Sequence, residues 1–234
     1  MRRRAQSGFS LIELLIAITL VAAISAGMLT SMRNALMTMQ RTQQRLQENR
    51  LALGIQDLIR RQIGGAMPVN GHCGPGDGTS TIEIFRGSAN ALLLVSNESI
   101  TEGARGYPRV ALYQVRPNPN GTVRLELSEQ IFSSALSTAP FCEPNPTVLH
   151  APPDLNPSVL LDQLAFCRFR YQNINLNTLF GREPAEDWLQ PMLPYAIRID
   201  MAPAPGSVVR LPVTSISIPL RISRSPGERY ENER

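Results

Sequence analysis

FSLIELLIAITLVAAISAGML, residues Phe9 to Leu29, is an apolar run of 21 residues with a single charge, Glu13. At about 1.5 Å per residue, a helix of that length covers the ~30 Å hydrocarbon core of a bilayer. The run is therefore expected to be a transmembrane helix. Arg2, Arg3 and Arg4 stand before it, and the next basic residue is Arg33. That asymmetry predicts a cytoplasmic N-terminus and export of everything beyond about Thr30. The competing reading is a secretory signal cut near Ala23-Ile24-Ser25 or Ser25-Ala26-Gly27. Such signals have an apolar region of only about 7–15 residues, whereas here the run passes into a polar helical pattern without a break.

Glu13 is out of place on simple grounds. A carboxylate within a membrane segment costs about 2.5 to 3.5 kcal/mol at the bilayer centre and less near an interface, so it calls for a partner or a purpose. Gly8-Phe9-Ser10-Leu11-Ile12-Glu13-Leu14-Leu15-Ile16-Ala17-Ile18 resembles the signature of type IV prepilins and type II secretion pseudopilins. The resemblance implies cleavage after Gly8 by a prepilin peptidase on the cytoplasmic face, followed by N-methylation of Phe9. It also implies that Glu13, fifth in the mature chain, meets the new α-amino group of a neighbouring subunit, so that two buried charges satisfy one another. The first segment, residues 1–8, is then a leader, 9–29 the transmembrane half of a helix, and 30–63 its exported half.

Working outward, helical spacing continues past the span. Met32, Leu36, Met39, Leu46 and Leu53 fall on a 4-3 repeat, the pattern of a helix-packing stripe. Leu51, Ile55, Leu58, Ile59 and Ile63 form a second set, expected to lie against the chain's own domain. Gly64-Gly65, with Pro68 beyond, marks the helix end. From Phe9 to Gln62 the helix would hold 54 residues, about 80 Å if continuous. The segment holds no proline, so any bend is expected near Gly27 or Gly54.

Beyond Met67 the composition shifts to turn residues and short apolar segments. Strands are expected at Thr81–Arg86, Ala91–Ser96, Arg109–Arg116, Thr122–Ile131, Gln163–Gln172, Tyr195–Met201 and Val208–Ser223. Pro117-Asn118-Pro119-Asn120-Gly121 joins the third and fourth as a hairpin. Alternation of Val123, Leu125 and Leu127 with Arg124, Glu126 and Ser128 predicts a sheet wet on one face. The proline-rich stretch Ala139–Pro157 reads as ordered coil, and SPGERYENER after Ser223 as a mobile tail, residues 224–234. The fold class is α+β: a long N-terminal helix packed on an antiparallel sheet, with the β-rich domain at 64–223.

Charge and composition exclude several functions. Of 23 basic residues against 19 acidic, three lie in the leader, which leaves 20 against 19. Arg41, Arg45, Arg50, Arg60 and Arg61 are interrupted by Glu48 and Asp57, and read as a solvated helix face. Arg168, Arg170 and Tyr171 are too few for a nucleic-acid groove. No Gly-x-Ser-x-Gly elbow accompanies the two histidines, His72 and His150, and no enzymatic activity is expected. Metal ligation by His72, Cys73, Cys142 and His150 lacks close-pair spacing. Asp77 and Glu83 could contribute to a calcium site, but without an EF-hand ligand ladder. No cofactor is expected. In an exported domain, Cys73, Cys142 and Cys167 suit one disulfide and one buried thiol, with three pairings open.

Phe169-Arg170-Tyr171, then Trp188, then Leu193-Pro194-Tyr195-Ala196-Ile197-Arg198-Ile199 and Val209-Arg210-Leu211-Pro212 resemble the ending of the J-type minor pseudopilin. W-type minor pilins share a similar ending. Bottom-up, Trp188 reads as a buried anchor and Pro194 as a strand-entry residue. The J-type resemblance implies a tip subunit, anchored in the bacterial inner membrane with its domain in the periplasm. It also implies contacts with I- and K-type minor pseudopilins, the major pseudopilin, the peptidase and an inner-membrane assembly platform. A type IV pilus minor pilin acting in motility, adhesion or DNA uptake is the alternative.

Overall fold

The computed structural model describes residues 10–72, 82–100, 105–141, 148–173, 185–190, 193–207 and 214–220. The chain divides into two compact units, Met1–Gln47 and Glu48–Arg234. One α-helix, α1 (Leu11–Gly64, 54 residues), supplies the first unit and enters the second. Among the described residues nine strands follow: β1 (Asn70–Gly71), β2 (Ile82–Glu83), β3 (Arg86–Gly87), β4 (Ala91–Glu98), β5 (Arg105–Pro117), β6 (Val123–Ile131), β7 (Ser158–Gln172), β8 (Ala196–Pro203) and β9 (Ser215–Pro219). β1 and β2 form a two-stranded sheet, and β3 to β9 form an antiparallel sheet in sequence order. The α+β class expected from sequence is the one observed.

In the second unit, α1 buries a stripe made of Ala52, Gln56, Ile59, Gln62 and Ile63, continued by Ala66 just beyond it. These positions recur at three- and four-residue steps, so they share one helix face. The stripe differs from the expected set: Leu51 is 67% exposed, because it lies one position off the buried row. Ile59, Ile63 and Ala52 join Leu92, Leu94, Ala111, Tyr113, Leu125, Leu127, Phe169 and Ile199 in the larger core. The helix ends at Gly64 as expected, yet neither Gly64 nor Gly65 adopts a left-handed conformation. Close approach explains Gly65 instead. A Cβ there would stand 2.7 Å from Asn97 Oδ1, and the Ser96 hydroxyl donates to the last-turn carbonyl of Gln62 at 2.7 Å.

The hairpin at Pro117–Gly121 forms, with Pro117 opposite Val123 and Arg109 opposite Ile131. The single wet face does not. Leu93, Val95, Val110 and Leu112 build a second core on the other side of β4 and β5, with Ile84 and Phe141. The cover is a 3-10 helix, Ala135–Phe141, and the coil that carries Leu149, Ala151 and Leu155. Glu126 and Ser128 are consequently buried. The runs Ala91–Val95 and Val110–Tyr113 are apolar at every position, which is the pattern of strands buried on both faces.

Other boundaries also shift. The expected strand Thr81–Arg86 divides: β2 pairs with β1, while β3 pairs with β4. β7 starts at Ser158 rather than Gln163. Gln163 itself takes a left-handed φ of 52° where the register with β6 and β8 is irregular, a local kink of the kind bulges introduce. The ordered coil expected from Ala139 is helical to Phe141. Of the last expected strand, the described part runs from Ser215 to Pro219, and residues 224–234 lie outside the described residues.

Candidate functional site

Gly8 and Phe9 lie outside the described residues. Immediately after them, α1 begins with a cap that its sequence dictates. The Glu13 N–H donates to Ser10 O at 3.0 Å and to Ser10 Oγ at 3.3 Å. Ser10 thereby takes up one of the donors that the first helical turn leaves open. The sequence signal for this cap is Ser-x-x-Glu, the capping-box spacing, which the lone charge of Glu13 in an apolar run overshadows. Glu13 is the acidic residue of the first turn, where the helix dipole favours negative charge. It is exposed, and among the described residues no cation pairs with it.

From Leu11 to Gln43 the helix is long and apolar enough to cross a membrane, with mean hydropathy 2.3 in its most apolar window and none of that window buried. Leu11, Ile12, Ile24 and Met28 are each exposed by more than 65%. The threonine hydroxyls in this stretch are satisfied within the helix. The Thr19 hydroxyl donates to Ile16 O at 2.9 Å, and that of Thr30 to Gly27 O at 2.8 Å. Internal pairing of this kind is what lets hydroxyls reside in hydrocarbon. Met32, Leu36, Met39 and Leu46 are exposed as well, so the predicted packing stripe is uncovered among the described residues.

Residues 3–29 match the prokaryotic N-terminal methylation motif. The match supports a pilin- or pseudopilin-like precursor that carries a prepilin signal, and it spans Gly8, Phe9 and Glu13. No curated protein matches the chain in sequence.

The other candidate residues are scattered by the fold. Cys167 is a free thiol, 2% exposed in the larger core. Burial, and then the charge of Asp200, push its pKa up to about 12. Cys73, Cys142 and Asp77 lie outside the described residues, and Glu83 falls in β2. Their flanks meet at the 3-10 helix. The His72 N–H donates to Thr138 Oγ1 at 2.8 Å, and the His150 N–H to Phe141 O at 3.4 Å. Among the described residues no three His, Cys, Asp or Glu side chains are grouped to hold a metal.

Trp188 is 2% exposed. Its backbone exchanges two hydrogen bonds with Gly87, at 2.8 and 3.1 Å, and its ring lies 6.4 Å from that of Tyr171. The Tyr171 hydroxyl donates to Ser88 O at 2.9 Å, and the Phe169 N–H donates to Ala89 O at 2.9 Å. The corner between β3 and β4 is thus stitched to the far half of β7, which curls the sheet. Burial pushes the Tyr171 phenol well above its ordinary value, with the Asp187 charge adding to it and the Ser88 bond opposing it. Leu193 packs on the same core and Pro194 is buried just ahead of β8. Tyr171, Trp188 and Leu193-Pro194 therefore serve packing.

Proposed function

We propose that this protein is a minor pseudopilin, a tip and assembly-priming subunit of the periplasmic pseudopilus of a type II secretion system. The observation that carries the reading is the methylation motif over residues 3–29, which opens into a helix whose apolar face the chain does not cover. The order Tyr171, Trp188, Leu193-Pro194 favours the J-type within that class. In this proposal the domain is non-catalytic, with its N-terminus cytoplasmic and the unit from Glu48 onward in the periplasm. Prepilin peptidase removes residues 1–8, and Glu13 pairs with the α-amino group of an adjoining subunit. The I- and K-type minor pseudopilins, the major pseudopilin and an inner-membrane platform are the partners. No nucleic acid or small molecule is a ligand.

A deletion strain scored for extracellular enzyme release and for surface pili in the same culture tests the reading. Loss of release with intact pili is expected. Loss of pili with normal release would make the chain a type IV pilus minor pilin instead. Glu13→Ala is expected to leave processing intact and to abolish co-purification with filament partners; undiminished co-purification would remove the charge pairing from the account.

A further inference from the structure

The side of β7, β8 and β9 that faces away from α1 carries an unbalanced cluster of arginines. On these strands the larger core takes Cys167, Phe169, Tyr171, Ile197, Ile199, Met201, Ile216 and Ile218. The alternate positions therefore look outward. Arg170 stands opposite Arg198, Arg168 opposite Asp200, and Phe166 opposite Ala202. Asp200 is the one carboxylate among these six paired residues. Its oxygens lie 2.8 Å from Arg198 Nε and 3.5 Å from Arg170 Nε. Partial burial raises its pKa, but hydrogen bonds from Arg198 and Ser215 and the charges of Arg198 and Arg170 outweigh that and hold it low. Among the described residues, three guanidinium groups of this cluster thus share one carboxylate. Arg168 is exposed and makes no ion pair among the described residues.

Like charges directly opposite on neighbouring strands destabilise a sheet. Asp200 offsets that repulsion in the Arg170–Arg198 pair, but a single carboxylate leaves the cluster with two surplus positive charges. We propose that Arg168, Arg170 and Arg198 form a docking surface for the acidic face of a protein partner. The complement is set by charge: two surplus guanidinium groups match two carboxylates, and Asp200 already displays the carboxylate-between-arginines geometry. Arg168 and Arg170 are two residues apart on one strand, about 7 Å, and Arg198 is one strand away, about 5 Å. That footprint suits a pair of side-chain carboxylates rather than a phosphate track. Tyr171 points into the core at 1% exposure and cannot stack on a base, while Phe166, 44% exposed and opposite Ala202, is an apolar neighbour for a protein contact. The inference holds whichever filament the chain joins.

The test uses the full chain in detergent micelles. Its probes are a labelled decapeptide with four glutamates, the glutamine counterpart, and a ten-base-pair duplex, compared by fluorescence anisotropy. The glutamate peptide is expected to bind and the glutamine peptide not to. Arg168→Gln with Arg170→Gln should weaken binding about tenfold, while Arg168→Lys with Arg170→Lys, which keeps the charge, should lose less. Arg50→Gln with Arg60→Gln, on the helix, should change nothing. Equal losses from the helix and sheet pairs would overturn the proposal by reducing it to general net charge. Tighter binding of the duplex, lost on the same sheet substitutions, would overturn it in favour of nucleic acid.

Discussion

Gly87 lies against the ring of Tyr171, so closely that a Cβ at position 87 would overlap the Cζ and hydroxyl of the tyrosine. The same glycine is bonded through its backbone to Trp188. Gly87→Ala therefore forces either Tyr171 out of its bond to Ser88 or Trp188 out of its bridge. A loss of about 2–3 kcal/mol is expected, the cost of overpacking a filled core. Because Trp188 is the chain's one tryptophan, its fluorescence during denaturant unfolding reads the effect directly. Unchanged stability would mean that the stitched corner is not a constraint.

A second prediction concerns Gln62, Tyr113 and Glu129. Gln62 is fully buried. Its amide nitrogen donates to Glu129 and, at 2.8 Å, to Glu98 O, while its oxygen accepts from Tyr113. Glu129 also accepts from the Ser99 hydroxyl at 2.8 Å and the Ile100 N–H at 3.0 Å. Glu129→Ala leaves these donors without their acceptor and is expected to destabilise the fold by about 3 kcal/mol; Tyr113→Phe, which removes one bond, by about 1 kcal/mol. Thermal unfolding of the solubilised chain compares the two, and equal effects would contradict this ordering.

The sequence made the helix, its stop and the hairpin legible because each rests on local chemistry: an unbroken apolar run, a glycine pair and a Pro-Asn-Pro-Asn-Gly turn. It concealed the second core. Phe141, Leu149, Ala151 and Leu155 sit in a segment with no periodicity, so nothing local marks them as cover for β4 and β5. Leu51 misled for the opposite reason, since a helical spacing shared with Ile55 and Leu58 says which residues neighbour one another but not which row the sheet selects. At the site, Glu13 stood out as a charge in an apolar run, whereas Ser10 was hidden in a short motif.

The cysteines supply a third prediction. Cys167 is buried, so Cys73 and Cys142 are expected to form the disulfide, their flanking residues meeting where Thr138 holds His72. A non-reducing peptide map should yield that linked pair and a free Cys167. A Cys167-containing crosslink would contradict it. The raised pKa has its own consequence. The folded chain holds the Cys167 proton more tightly than an unfolded thiol near 8.5, so the contribution is complete below that pH and is lost as pH rises toward about 12. Alkaline unfolding midpoints should fall less in Cys167→Ala than in the unmodified chain, relative to each protein's neutral value.

The central claim is that residues 3–29 are a working prepilin signal. Intact mass spectrometry of the chain extracted from membranes of a host with prepilin peptidase tests it most directly. The predicted species begins at Phe9 and carries one added methyl group, and Gly8→Leu abolishes it in favour of the full precursor. A mature chain beginning after Ser25 or Gly27, or an unmodified precursor despite an active peptidase, would contradict the account.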